Sequence, residues 1–131
     1  MQSIFHFSGQ IVRGKGNGIK VGMPTANLDW IQSEQDLPKL GVYISKIVID
    51  SVCYQGLTNF GLRPSVDDDP KITLETYILD FNQEILGKSA DLYLIKFIRE
   101  TMKFRSLQET HQQVLQDITT LREHFRKTQD E

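Results

Sequence analysis

The 131-residue chain has one cysteine, four prolines and one tryptophan. A lone cysteine excludes an internal disulfide framework and suits a reducing compartment, where Cys53 is expected as a small apolar residue of a strand rather than as a catalytic thiol. No segment has the order of a signal peptide and no apolar run approaches the ~18 residues of a membrane span, so a cytoplasmic location without a membrane partner is expected. Excess charge of either sign is missing as well. Fifteen Lys and Arg stand against 17 Asp and Glu, a formal net charge of −2, whereas nucleic-acid binding rests on neutralising many phosphates with basic side chains; no nucleic-acid partner is expected. The three histidines, His6, His111 and His124, are too scattered for a zinc site, and the last two are expected on the solvent face of a helix. Asp67-Asp68-Asp69-Pro70 lacks the alternating ligands and distant glutamate of a calcium loop and is taken as a solvated turn.

Helical periodicity is also scarce until the end of the chain. Stretches rich in β-branched and aromatic residues at Ile4 to Val12, Gly41 to Asp50, Val52 to Phe60, Ile72 to Phe81 and Ala90 to Phe97 are predicted strands, parted by polar or glycine-containing turns. Strands with no helix between them exclude the alternating pattern of a parallel sheet, and five or six of them suit a closed, mainly antiparallel barrel or a sandwich, with the barrel preferred. From Leu107 onward Val114, Ile118, Leu121 and Phe125 recur at helical spacing, and Ser106-Leu107-Gln108-Glu109 has the form of a capping box. A long C-terminal helix packed on the outside of the barrel is therefore predicted. The whole chain, 1–131, is expected to be one domain: barrel about 4–98, linking segment 99–105, helix about 107–127.

Against these absences stands "GKGNGIKVGMPTAN", Gly14 to Asn27, dense in glycine and carrying Lys15 and Lys20. Closely spaced glycines expose main-chain N–H groups that can surround a phosphate, although such clusters also occur in plain surface loops. The familiar nucleotide loops fail on spacing. "GQIVRGK" from Gly9 fits seven positions of a P-loop, but Gly16 follows where a hydroxyl should reach Mg²⁺. A dinucleotide fingerprint begun at Gly14 ends on Ile19, and one begun at Gly16 ends on Val21.

Thr25 and Asn27 lie at i and i+2, so in an extended segment both side chains point the same way. They are either ordinary turn residues or two neutral oxygen ligands for a Mg²⁺ that keeps waters and takes further ligands from phosphates. Glu75 interrupts the strand "KITLETYILDF", on one face with Thr73, Tyr77 and Leu79. It is either a solvated strand carboxylate or a general base in a cleft. Arg99, Lys103 and Arg105 form a basic patch ahead of the helix, either a solvated link or a contact for a phosphorylated ligand.

In order and spacing, "GQIVRGKGNGIKVGMPTANL", "LPKLGVYISKIVI", "GLTNFGLRPSV", "TLETYILDF" and "LGKSADLYLIKFIRETMKFRSL" with the final helix resemble the riboflavin kinase (flavokinase) domain over about residues 8 to 125. The most specific elements are Gly-x-Pro-Thr-Ala-Asn, Asn-x-Gly-x-x-Pro and Leu-Glu-x-x-x-x-Asp-Phe. The resemblance implies a six-stranded Greek-key barrel with ATP and riboflavin entering one site from opposite sides, and transfer of phosphate from ATP·Mg²⁺ to give FMN and ADP. By the same resemblance the loop with Gly14, Gly16, Gly18, Lys20, Gly22 and Pro24 would wrap the ATP phosphates, Thr25 and Asn27 would bind Mg²⁺, and Glu75 would be the base toward the ribityl 5′-hydroxyl. Arg99 and Phe104 would contact the flavin. A flavin- or nucleotide-binding regulator with the kinase fold is the alternative. Ile19 replaces a common arginine of bacterial members, leaving Lys20 as the nearest cation, while Thr101 and Arg105 replace a glutamate and an aspartate. The chain has no room for the adenylyltransferase domain that precedes the kinase in many bacterial relatives; it is expected to be either a stand-alone kinase or an excised portion of a longer protein, the start at Met1 only slightly favouring the former, and a monomer.

Overall fold

The computed structural model describes residues 5–12, 25–30, 37–63, 71–81, 84–101 and 106–129. Six strands follow one another: β1 (Phe5–Val12), β2 (Thr25–Trp30), β3 (Gly41–Ile49), β4 (Val52–Arg63), β5 (Lys71–Ile78) and β6 (Ser89–Arg99), and then the helix α1 (Leu107–Gln129). All neighbours are antiparallel and the sheet closes in the order β1-β2-β5-β4-β3-β6. Because β3, β4 and β5 meander and β6 returns beside β3, the connection is a Greek key, and the predicted barrel is the observed one. Closure leaves no free sheet edge.

Alternation along each strand decides what fills the barrel. Phe7 and Ile11 of β1, Ala26 and Leu28 of β2, Tyr43 and Ile47 of β3, Phe60 of β4, Leu74 and Ile78 of β5 and Leu92 and Leu94 of β6 point inward and form one buried cluster. Phe7 meets Trp30 edge-on, with ring centres 5.0 Å apart. Three hydroxyls share this interior. Thr58 Oγ1 donates to Ser45 Oγ at 2.8 Å and lies 2.8 Å from Thr76 Oγ1, so these buried polar groups satisfy one another.

Asp50 and Ser51 join β3 to β4 with φ of 52° and 66°, the two-residue turn whose twist matches the flanking strands. At the other end of the chain Ser106 Oγ accepts the Glu109 N–H at 3.2 Å, so Ser106 is the N-cap that the expected capping box places there. The α1 stripe packs outside the barrel: Leu121 and Phe125 are buried against Ile44, Leu57 and Leu79, with Ile118, Ile95, Ile98 and Tyr77 around them.

Three local expectations are corrected or extended. Thr25–Trp30 is a strand although its Asn27 and Asp29 are poor strand formers; pairing on both sides, with β1 and β5, overrides propensity. Cys53 lies in a strand as expected but is exposed, next to the hairpin turn. His124 is half-buried rather than on the solvent face, since Asp117, Leu121 and His124 at i, i+4 and i+7 share the side of α1 turned to the barrel. No described helix is long and apolar enough to cross a membrane.

Candidate active site

The inward alternation that fills the barrel sends a polar set outward on three adjacent strands. Register pairs Asn27 of β2 with Glu75 of β5, and Glu75 in turn with Asn59 of β4. Asn27, Glu75 and Asn59 thus form one row on the outer face, each half-buried, with neighbouring strands about 4.8 Å apart. Thr25 lies on the same face one row away, opposite Tyr77. Two of the three expected functions, the Thr25/Asn27 oxygens and the Glu75 carboxylate, therefore meet side by side. The third does not enter the comparison: Gly14, Gly16, Gly18, Lys20, Gly22 and Pro24 lie outside the described residues, as does Phe104.

A cleft of about 530 Å³ opens on the Asn59 side of the row, lined by Lys39, Leu40, Asn59, Gly61, Glu100 and Thr101. Thr101 Oγ1 donates to Asn59 Oδ1 at 2.9 Å. Lys39 Nζ lies 3.6 Å from Glu100 Oε1 and 4.8 Å from the centre of the Phe97 ring. Tyr43 holds the Lys39 backbone in place by donating its hydroxyl to the carbonyl oxygen, and burial raises the pKa of that phenol above its ordinary value.

Arg99 faces elsewhere. Its Nε and Nη2 donate to the buried Asp117 carboxylate of α1 at 3.1 Å and 2.7 Å, and Nη1 donates to the Glu100 carbonyl oxygen at 3.1 Å. Gln113 Nε2 adds a third donor to Asp117, at 3.1 Å. The guanidinium expected to meet a flavin is thus engaged in fastening the end of β6 to the helix.

A second polar group sits far from this row. His6 Nε2 is 2.9 Å from Asp91 Oδ1 and 3.2 Å from Ser8 Oγ, while Ser8 Oγ donates to Asp91 at 2.6 Å and the imidazole stacks on Tyr93. A nucleophilic triad needs the carboxylate on one imidazole nitrogen and the hydroxyl on the other. Here both partners meet Nε2, so no relay exists. The Ser8 and His6 hydrogen bonds hold the Asp91 carboxyl below its ordinary pKa. Among the described residues no three His, Cys, Asp or Glu side chains gather as a metal site.

Sequence reasoning placed Asn59 within a motif without giving it a task, and noted Thr101 only as a departure. Their contact joins positions 42 residues apart, which no local pattern reveals. Lys39 and Glu100 carry no signal in the sequence at all.

The riboflavin kinase (Flavokinase) family description matches residues 1–125. A bifunctional riboflavin kinase/FMN adenylyltransferase of Listeria monocytogenes is 32% identical over 122 residues, 93% of this chain and 38% of that protein. An RNA-binding riboflavin kinase of Bacillus subtilis is 31% identical over 118 residues, 90% of this chain and 50% of that protein. Among solved structures, a Streptococcus pneumoniae chain described as a macrolide-efflux protein superposes with a TM-score of 0.81 at 30% identity, covering 89% of this chain and 38% of that one. The riboflavin kinase of Trypanosoma brucei shares the fold, with a TM-score of 0.63 at 20% identity, over 98% of this chain and 83% of that one. With its closed barrel, outer helix and the matched span of 125 residues, the chain belongs to the riboflavin kinase family.

Proposed function

We propose that the chain phosphorylates riboflavin at the 5′-hydroxyl of its ribityl arm, with ATP as donor, to give FMN and ADP. The observation that carries this reading is the Asn27–Glu75–Asn59 row, which sets a candidate metal ligand one strand away from a candidate base. In the proposed reaction Glu75 takes the proton of the 5′-hydroxyl while its oxygen bonds to the γ-phosphorus. The bond from that phosphorus to the β–γ bridging oxygen breaks, and ADP leaves with the electron pair. Little covalent chemistry is asked of the protein, and most of its contribution is alignment and charge neutralisation.

Thr25 and Asn27 present hard, neutral oxygens two residues apart on one strand face, a donor set that fits Mg²⁺ sharing phosphate ligands. Bound there, the ion would neutralise charge on the ATP phosphates. Gly14, Gly16, Gly18, Lys20, Gly22 and Pro24 are assigned to the phosphates through main-chain N–H groups and one cation. In this reading Arg99 steadies the linking segment and Phe104 supplies its flavin contact. Nucleic acid is left out: RNA binding belongs to a relative of which this chain spans half, and the net charge here is −2. The row is complete within one chain, so a monomeric enzyme is proposed.

Incubation of the purified chain with riboflavin, ATP and Mg²⁺ tests the reading, with FMN resolved by chromatography. FMN appearing only with both ATP and the divalent ion is the expected result. Riboflavin bound without any FMN after long incubation would instead favour a flavin-binding regulator.

A further inference from the structure

Asn59 brings an unused donor to the wall of the cleft. Its Oδ1 accepts the Thr101 hydroxyl at 2.9 Å, and among the described residues its Nδ2 has no acceptor. With the Thr101 hydroxyl as donor, the amide turns its oxygen toward Thr101 and its NH₂ away from it. Gly61, two residues on and on the same strand face, makes the room: a Cβ there would stand 3.3 Å from Asn59 Nδ2 and 3.5 Å from Oδ1. The amide is therefore held between the Thr101 hydroxyl and the bare backbone of Gly61, in register beside Glu75.

Resting on the riboflavin kinase reading, we propose that Asn59 Nδ2 donates to a hydroxyl of the substrate's polyol arm, and that Thr101 is a positioning residue that sets the amide for this task. Opposite residues of paired strands have Cβ atoms about 5 Å apart. A polyol whose terminal hydroxyl lies at Glu75 therefore brings the next hydroxyl within reach of Asn59. Lys39, the one cation among the described residues lining the cleft, is paired with Glu100, so the wall beside Asn59 offers no uncommitted positive charge to a phosphate, whereas a neutral hydroxyl meets the amide donor.

Thr101→Val removes the hydroxyl at nearly constant shape, and Thr101→Ser restores it. Riboflavin binding is read by flavin fluorescence without ATP, alongside KM for riboflavin and for ATP and binding of a flavin that lacks the polyol arm. With one hydrogen bond at stake, Thr101→Val should weaken riboflavin binding and raise its KM about three- to tenfold. The KM for ATP and the binding of the armless flavin should stay within about twofold of the parent, and Thr101→Ser should recover the parent's values. A Thr101→Val variant that binds riboflavin like the parent, or that loses equally toward the armless flavin, overturns the assignment. Failure of the kinase reading is separate, because it would show in the parent chain, as no binding or no FMN.

Discussion

Leu57 and Asn59 stand two residues apart on the outer face of β4 and meet opposite fates. Leu57 is sealed under α1 with Ile44, Leu79, Leu121 and Phe125, whereas Asn59 opens to the cleft beside Glu75. The same barrel wall thus has a covered half and an open half. Apolar side chains at 44, 57 and 79 draw the helix over one region. Asn27, Glu75 and Asn59 would lose water beneath it, and among the described residues the helix does not extend over them. The Arg99–Asp117 pair, fixed at both ends by further hydrogen bonds, fastens the helix to the strand that borders the cleft. Stability and the proposed chemistry accordingly reside in different halves of one surface, and substitutions can separate them.

The largest expected effect is in the open half. Glu75→Gln keeps size and hydrogen-bonding reach but removes the base, and a positioned base contributes about 10²- to 10⁴-fold in rate, so turnover should fall within about that range. Stability should change by less than about 1 kcal/mol, and riboflavin should still bind. Steady-state kinetics with a thermal melt checks both. Turnover within about threefold of the parent would return Glu75 to the role of a strand carboxylate, worth less than about 0.7 kcal/mol to the barrier.

The reverse pattern belongs to the covered half. Leu121 is fully buried between α1 and the barrel, and truncation to alanine leaves a cavity that typically costs about 2–5 kcal/mol. Leu121→Ala should therefore lower the denaturation midpoint strongly while turnover per folded molecule, assayed well below that midpoint, stays near the parent's. A kinetic defect as large as that of Glu75→Gln in fully folded protein would mean that the two halves are coupled through the helix.

How much of this was legible in the sequence follows the range of the interactions. Alternation in "KITLETYI" placed Glu75 on the face opposite Leu74 and Thr76, and the structure has it there, because strand period is a local property. The N-cap at Ser106 was equally local. β2 was not, since Thr25–Trp30 becomes a strand through its pairing with β1 and β5; the pattern marked five stretches and left the sixth strand unplaced. The Asn59–Thr101 bond and the Arg99–Asp117 pair were illegible for a related reason: each joins segments that only the closed barrel and the docked helix bring together.

His124 marks the polar edge of the covered half and supports the smallest effect. Burial first, and then the positive charges of Lys96 and Lys46, lower its pKa from the ordinary 6.5. Lys46 Nζ also lies 5.4 Å from the centre of the Phe125 ring, so the imidazole sits where the helix meets β3 and β6 rather than in open water. A histidine with a depressed folded pKa is neutral in the native state at pH values where the unfolded chain already binds a proton. Its favourable contribution is full above the unfolded value of about 6.5 and is lost as pH falls from there toward the folded value. Urea midpoints measured from about pH 7.5 down to about pH 5 should decline for the parent over that window, and His124→Gln, which cannot titrate, should flatten the decline. The contrast with Leu121→Ala is one of shape, because that variant should shift the whole curve downward without changing its slope. Parallel curves for the parent and His124→Gln would assign the pH dependence to other groups, and His124 would then be a packing residue of the covered half with no electrostatic part in it.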